Sequence, residues 1–147
     1  MSEQRVPVGF FPGTPGGTET VLVVEDELPV RRVICATLEL NGYRVLAAED
    51  GRDAIAQSAA FDGEIDLLLT DLDIPDMSGR ELAQRIGGTR PRMRLLYTSG
   101  RDAGDILSFG VLPHGTLFLP KPFTPYGLAW RVREILDQAQ TGIPMVA

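Results

Sequence analysis

Short apolar runs alternate with segments of helical periodicity from Thr20 onward, and this alternation restricts the possible fold more than any other feature. The runs are TVLVVE, RVLAAE, IDLLLT, MRLLYTS and TLFLP, each about the length of a β-strand. Strands separated by helices form βαβ units, whose strands are parallel and buried on both faces. The pattern therefore predicts an α/β fold, a doubly wound, five-stranded parallel sheet with five helices.

The helices expected between these strands differ in how strongly the sequence favours them. The first begins near Pro29, which suits the first turn of a helix. Its apolar stripe comprises Val30, Val33, Ile34, Thr37 and Leu38. The segment GRDAIAQSAA predicts the second helix, and Gly79 opens the third. The fourth, in RDAGDILSFG, is weak because Gly104 and Gly110 each destabilise a helix by about 1 kcal/mol relative to alanine.

The last helix, predicted from about Thr124 to Gln140, separates its large apolar residues onto two sides. The stripe expected to face the core comprises Leu128, Val132, Ile135 and Leu136. Tyr126 and Trp130 fall on the opposite side at 100° per residue, so we expect Trp130 to be exposed. Because exposed Trp and Tyr are enriched in binding hot spots, these two residues are a possible partner face.

The two ends of the sequence lack such periodic patterns. Residues 1–19 are rich in Pro and Gly and predict a flexible tail or linker, and residues 141–147 predict a short C-terminal tail. The intervening residues 20–140 are long enough for one ordinary globular core.

Composition excludes several classes of function. A net charge of -6 without a basic cluster argues against direct binding to nucleic acid, which requires neutralised phosphates. A single cysteine, Cys35, cannot form an internal disulfide, and the N-terminal residues do not resemble a signal sequence. No run approaches the roughly 20 apolar residues of a membrane span. We therefore expect a cytoplasmic protein that does not enter membranes.

Charged and hydroxyl side chains follow the ends of four predicted strands. They are Glu25 and Asp26 after the first strand, Asp71 after the third, Thr98 and Ser99 after the fourth, and Lys121 after the fifth. In parallel sheets these ends share one edge, where ligands bind. Asp73 and Asp76 closely follow Asp71, and carboxylates this close repel unless a cation lies among them.

Glu25, Asp26 and Asp71 offer hard oxygen ligands at this edge. Such ligands suit Mg²⁺, which prefers one or two carboxylates together with waters and phosphate oxygens. A carboxylate beside such a cation can act as a nucleophile toward phosphorus, and Asp71 is the candidate. Lys121, the only lysine in the sequence, would supply a compact positive charge for the phosphoryl group. A surface lysine in a proline turn is the simpler interpretation, but its position after a strand disfavours it.

Four sequence blocks, in order along the chain, resemble the receiver domain of two-component response regulators. They are VLVVEDE, LLLTDLDIPDMSG, LLYTSG and LFLPKPF, and the resemblance covers residues 20–138. The family fold is a flavodoxin-like (βα)5 domain with strand order 2-1-3-4-5, which agrees with the elements counted above.

The resemblance implies a role for each acidic residue at the sheet edge. Asp71 falls at the phosphoacceptor position. Asp26 falls at the direct Mg²⁺ ligand and Glu25 at an acidic neighbour that acts through water. The main-chain carbonyl of Asp73 falls where the family completes the metal shell.

Other positions match the family's switching residues. Thr98 stands at the hydroxyl that follows the phosphoryl oxygen, and Lys121 at the lysine that pairs with that group. Phe118 stands at the aromatic switch position, and the Lys121–Pro122 peptide is expected to be cis.

The implied function is to accept a phosphoryl group from the phosphohistidine of a sensor histidine kinase or a histidine phosphotransfer protein. The domain would catalyse only its own phosphorylation and dephosphorylation. The response would be a change in protein contacts, including a possible homodimer through the fourth helix, fifth strand and last helix. We expect no DNA-binding output domain in this chain.

Three alternatives remain. The chain could be the C-terminal receiver of a hybrid histidine kinase, with the Pro/Gly-rich lead-in as an interdomain linker. The D-x-D motif at Asp71 also resembles that of haloacid-dehalogenase-type phosphatases, but here it follows the third strand rather than the first. A flavin-binding flavodoxin-like module shares the topology, but the acidic VEDELP segment would repel its phosphate.

Overall fold

The structure, a computed structural model, describes residues 13–100 and 118–138. Its strands are β1 (Thr20–Val24), β2 (Arg44–Ala48), β3 (Leu67–Asp71), β4 (Arg94–Ser99) and β5 (Phe118–Pro120). All pair in parallel, in the order β2-β1-β3-β4-β5. The predicted five-stranded parallel sheet and its strand order are confirmed.

Four helices lie in the described residues: α1 (Leu28–Leu40), α2 (Gly51–Ala60), α3 (Gly79–Gly87) and α4 (Pro125–Leu136). The weak helix predicted within residues 101–110 lies outside them. The helix predicted to reach Gln140 ends earlier, at Leu136. Its last turn tightens because the Gln138 N–H bonds the carbonyl of Ile135, three residues back.

Three helices begin at polar side chains that cap free backbone N–H groups. Asp50 accepts from the N–H of Asp53 at the start of α2, and Ser78 and Thr124 do the same for α3 and α4. α1 has no side-chain cap of this kind at Glu27, and Pro29 lies in its first turn as predicted. Local sequence therefore sets where these helices start.

Helices cover both faces of the sheet, as a doubly wound fold requires. On one face, α1 and α4 pack on Val21, Val23, Leu67 and Leu69. On the other face, α2 and α3 pack on residues that include Leu22, Val24 and Leu68. β1 and β3 are buried along their whole length, so their ends are fixed by both layers of the core.

One residue of the predicted α1 stripe faces solvent. Val33 is 48% exposed, whereas Ile34 and Leu38 are fully buried. Val33 lies at the margin of the stripe, beyond the width that the sheet covers. Leu28, at the start of the helix, is also exposed.

Residues 16–19 contact the domain, although the sequence placed them in the N-terminal tail. The Gly17 N–H bonds the carbonyl of Asn41, and Arg133 of α4 bonds both the Gly16 carbonyl and the Glu19 carboxylate. These contacts extend the packed region upstream of β1. The division into tail, domain and C-terminal tail otherwise stays a prediction. Among the helices in the described ranges, none has the length and apolar character to cross a bilayer.

Candidate functional site

The polar residues at the strand ends meet at one edge of the sheet. β1 and β3 are neighbours in the sheet, and Asp71 at the end of β3 is in register with Thr98 of β4. Carboxylate oxygens of Glu25, Asp26 and Asp71 lie within 4.8 Å of one another. This is the edge at which open α/β sheets bind ligands, at the point where the strand order reverses.

Lys121 bridges two of these carboxylates. Its Nζ donates to Oε1 of Glu25 at 2.7 Å and to Oδ2 of Asp71 at 2.8 Å. Burial alone would lower the pKa of Lys121, but the hydrogen bonds to Asp71 and Glu25 outweigh burial and raise that pKa. The lysine therefore stays charged and neutralises part of the acidic group. The Lys121–Pro122 peptide is cis, as predicted.

Glu25 and Asp26 differ in their surroundings although they are adjacent in sequence. Glu25 is fully buried, and burial raises the pKa of its carboxyl despite the hydrogen bond from Lys121. Its Oε2 also accepts from the Glu27 N–H, and its carbonyl accepts from Arg31. Asp26 is exposed. This difference is compatible with the predicted roles, in which Asp26 is a direct metal ligand and Glu25 acts through water.

The loop after β3 brings Asp73 back toward Asp71. The Asp73 N–H donates to Oδ1 of Asp71 at 3.1 Å, and Asp73 also forms an isolated antiparallel bridge with Ser78. The role of the Asp73 carbonyl as a metal ligand stays a prediction. Asp76 lies apart from this cluster, because its carboxylate accepts from the N–H groups of Gly51 and Arg52. Its partner is thus a helix N-terminus rather than a cation.

Thr98 presents a hydroxyl whose hydrogen bonding is incomplete. The residue is fully buried, and its Oγ1 has no hydrogen-bond partner within residues 13–100 and 118–138. A buried polar atom without a partner is destabilising by about 1–3 kcal/mol, so such an atom indicates a ligand or a functional constraint. Its register with Asp71 places this hydroxyl beside the predicted phosphoacceptor.

Phe118 begins β5 and is in register with Tyr97 of β4. It is partly buried, against the core layer that contains α2 and α3. This intermediate position is compatible with the predicted aromatic switch, whose movement stays a prediction.

The aromatic residues of α4 are exposed, as the helical periodicity predicted. Tyr126 is 50% exposed and Trp130 48% exposed. Their rings meet edge to face, with centroids 6.1 Å apart. The expected buried stripe of this helix is also confirmed.

The donor set fits Mg²⁺. Three carboxylates converge from the ends of β1 and β3 and offer hard oxygen atoms, and neither histidine nor cysteine belongs to the group. The hydroxyl of Thr98, without a partner among the residues described, and the ammonium of Lys121 border the same site. A phosphoryl ligand would need both groups.

A sequence model of the response regulator receiver domain matches residues 21–133. The chain belongs to this family. The resemblance to receiver domains predicted from the sequence is therefore confirmed. Receiver domains act in two-component signalling, where they interact with histidine kinases or phosphotransfer proteins.

Relatives of this receiver domain include a sensor kinase and transcriptional regulators. It is 34% identical over 129 residues to the sensor kinase CckA of Brucella abortus, covering 83% of this chain and 13% of that protein. It is 31% identical over 126 residues to the phosphate regulon regulatory protein PhoB of Pseudomonas aeruginosa, covering 84% and 54% respectively. The chain thus spans a small part of one relative and about half of the other.

Solved structures agree with the fold. The receiver domain of the hybrid histidine kinase CckA superposes with a TM-score of 0.67 at 34% identity, covering 80% of this chain and 99% of that one. A CheY-like receiver from Methanospirillum hungatei gives a TM-score of 0.70 at 26% identity, covering 82% and 95%.

Proposed function

We propose that this receiver domain accepts a phosphoryl group on Asp71 from a partner's phosphohistidine, with Mg²⁺ bound, and then changes its protein contacts. The observation that carries the proposal is the convergence of Glu25, Asp26 and Asp71 within 4.8 Å, with Lys121 bonded to Asp71. A nucleophile, metal ligands and a cation for the transferred group are then all within one site.

The residues of the site divide the chemistry among them. Glu25, Asp26, Asp71 and the main chain at Asp73 would hold Mg²⁺, which would neutralise charge on the transferring phosphoryl oxygens. A carboxylate oxygen of Asp71 attacks phosphorus and forms an O–P bond while the P–N bond to histidine breaks. The electron pair of that bond stays on the imidazole nitrogen, which takes up a proton from solvent. Lys121 remains beside Asp71 and pairs with the new phosphoryl group.

The proposed change in protein contacts begins at residues beside Asp71. The hydroxyl of Thr98, which has no partner among the described residues, can donate to a phosphoryl oxygen on Asp71. We propose that β4 carries the resulting shift to Phe118 in β5. Through β5 and α4 the change reaches Tyr126 and Trp130, which we propose as a face for a partner or for a second copy of the domain.

The donor would approach beside Lys121. Val33 of α1 is exposed there, and a shallow groove lined by Val33, Pro122 and Phe123 reaches Lys121 itself. Apolar surface at the entrance to a charged site is suited to docking a helix that carries the phosphohistidine.

The activity of the whole protein is part of this proposal. We propose a receiver that turns over no external substrate, binds no nucleic acid directly and acts in the cytoplasm, where the free thiol of Cys35 is stable. The resemblance to CckA favours one alternative, a receiver that belongs to a hybrid histidine kinase.

Intact-mass measurement tests the proposal. The protein is incubated with Mg²⁺ and acetyl phosphate, alongside Asp71→Asn and, as a matched control, Asp62→Asn at an exposed aspartate that precedes β3. We expect one added phosphoryl group on wild type and on Asp62→Asn, and none on Asp71→Asn. Equal labelling of Asp71→Asn would refute the assignment, and continuous release of phosphate from an added phosphomonoester would favour a phosphatase.

A further inference from the structure

Asp76 makes a contact that bridges two loops. Its Oδ1 accepts from the N–H of Gly51 and its Oδ2 from the N–H of Arg52, both at 2.9 Å. These are the first two residues of α2, whereas Asp76 lies in the loop between β3 and α3. The Gly51 N–H above all lowers the pKa of Asp76, so the carboxylate is charged in this contact.

Helix capping alone does not account for this arrangement. α2 already has a local cap, since Oδ1 of Asp50 accepts from the Asp53 N–H at 2.8 Å. The second carboxylate comes from 25 residues away along the chain. It therefore fastens the β3–α3 loop to the rest of the domain in addition to satisfying two N–H groups.

The loop that Asp76 fastens is also closed at its base. The Gly79 N–H donates to the carbonyl of Leu72 at 2.8 Å. A Cβ at Gly79 would clash with the Asp71 carbonyl, so the two ends of the loop approach closely. Near its tip, Met77 packs directly on Gly51. The main chain at Asp73 is thus held between a closed base and a tip attached to α2.

We propose that Asp76 is a positioning residue for the metal site, because it holds the loop so that the Asp73 main chain stays beside Asp71. This inference rests on the proposed function, in which that main chain completes the Mg²⁺ shell. Asp76 would not itself be a metal ligand, because its two carboxylate oxygens accept from the N–H groups of Gly51 and Arg52. Its effect is to restrict the conformations of the loop before the metal binds. A loop that is already ordered loses little conformational entropy on binding, so the affinity for the metal is higher.

The test compares the two caps of the same helix. Mg²⁺ affinity is measured by isothermal titration calorimetry for wild type, Asp76→Ala and Asp50→Ala, together with amide hydrogen exchange of residues 72–78 in metal-free protein. Asp76→Ala should raise the Kd for Mg²⁺ about tenfold, as outer-shell changes do. It should also speed exchange in the loop. Asp50→Ala should lower thermal stability and leave the Kd within about twofold of wild type. Asp76→Asn, which keeps one acceptor oxygen, should be intermediate.

The outcomes separate this inference from the function on which it rests. Normal Mg²⁺ binding by wild type with an unchanged Kd in Asp76→Ala would overturn the positioning role alone. An equal rise in Kd for Asp50→Ala would mean that Asp76 acts only as a helix cap, and would also overturn the positioning role. Failure of wild type to bind Mg²⁺ would overturn both the inference and the proposed site.

Discussion

The ammonium of Lys121 lies 2.8 Å from the carboxylate of Asp71 and 2.7 Å from that of Glu25, so two acids share one cation across the sheet edge. All three side chains are largely buried. Removing one partner of a buried ionic group leaves charge uncompensated, which is far more costly than losing a surface pair.

Lys121→Ala should therefore lower the free energy of unfolding by about 3 kcal/mol in the absence of metal. Added Mg²⁺ should restore much of this loss, because the metal supplies the missing positive charge to the same carboxylates. Thermal unfolding with and without Mg²⁺ checks this, with Arg32→Ala as a control at an exposed position on α1. A variant stabilised by Mg²⁺ no more than wild type would contradict the shared role of lysine and metal.

Two buried threonines at the site should respond oppositely to loss of the hydroxyl. Thr98→Val removes an Oγ1 that has no hydrogen-bond partner in the described part of the chain, and should leave stability unchanged or raise it by about 1 kcal/mol. Thr70→Val removes a hydroxyl that bonds the Asp71 carbonyl at 3.0 Å, and should lower stability by about 1 kcal/mol. Urea unfolding measures both. Equal destabilisation by the two changes would mean that Thr98 is a structural residue.

Acid should weaken the contact between the N-terminal segment and α4. The hydrogen bond from Arg133 lowers the pKa of Glu19 below its usual value of 4.5. A carboxyl with a lowered pKa stabilises the fold above its unfolded-state pKa and loses that effect as pH falls through the folded-state value. Glu19→Gln should therefore be less stable than wild type at neutral pH, with the difference shrinking as the pH falls below 4.5.

Urea unfolding across that pH range measures the effect. The control is Glu134→Gln, which removes an exposed ion pair with Arg131 and should change little at any pH. A constant difference between Glu19→Gln and wild type across the titration would show that the charge of Glu19 does not stabilise the fold.

Trp130 should contribute to association and little to folding. Trp130→Ala removes a side chain that is 48% exposed, so stability should change by less than about 1 kcal/mol. Beryllofluoride mimics the phosphoryl group on Asp71. If α4 forms the association surface, self-association of the beryllofluoride-bound protein should weaken about thirtyfold, because losing a hot-spot residue costs about 2 kcal/mol. Sedimentation velocity measures this, with Val33→Ala on α1 as the control. Unchanged association would place the partner surface elsewhere.

Sequence pattern was sufficient where structure depends on neighbours in the chain. The bounds of α2 agree with the predicted segment because Asp50 caps its first turn and Phe61 ends it. The site residues could be predicted because parallel strands bring their carboxyl ends to one edge, whatever the detail of packing. This rule placed Asp71, Thr98 and Lys121 together without any knowledge of distances.

Contacts between distant residues were less predictable. Asp76 was grouped with the metal-binding acids, although its partners are the N–H groups of Gly51 and Arg52. No local pattern indicates that α2 starts beside this loop. The packing of residues 16–19 likewise depends on Arg133, more than a hundred residues away. Val33 was misplaced because periodicity gives the direction of a stripe and not the width that a neighbouring sheet covers.

The most direct test of the account is to locate the phosphoryl group itself. Borohydride reduces an aspartyl phosphate to homoserine, so peptide mapping after Mg²⁺-dependent phosphorylation and reduction identifies the acceptor. We predict homoserine at position 71, absent when Mg²⁺ is chelated before the phosphodonor is added. Homoserine at another aspartate, or labelling of position 71 that is indifferent to metal, would contradict a phosphoacceptor held among Glu25, Asp26 and Lys121.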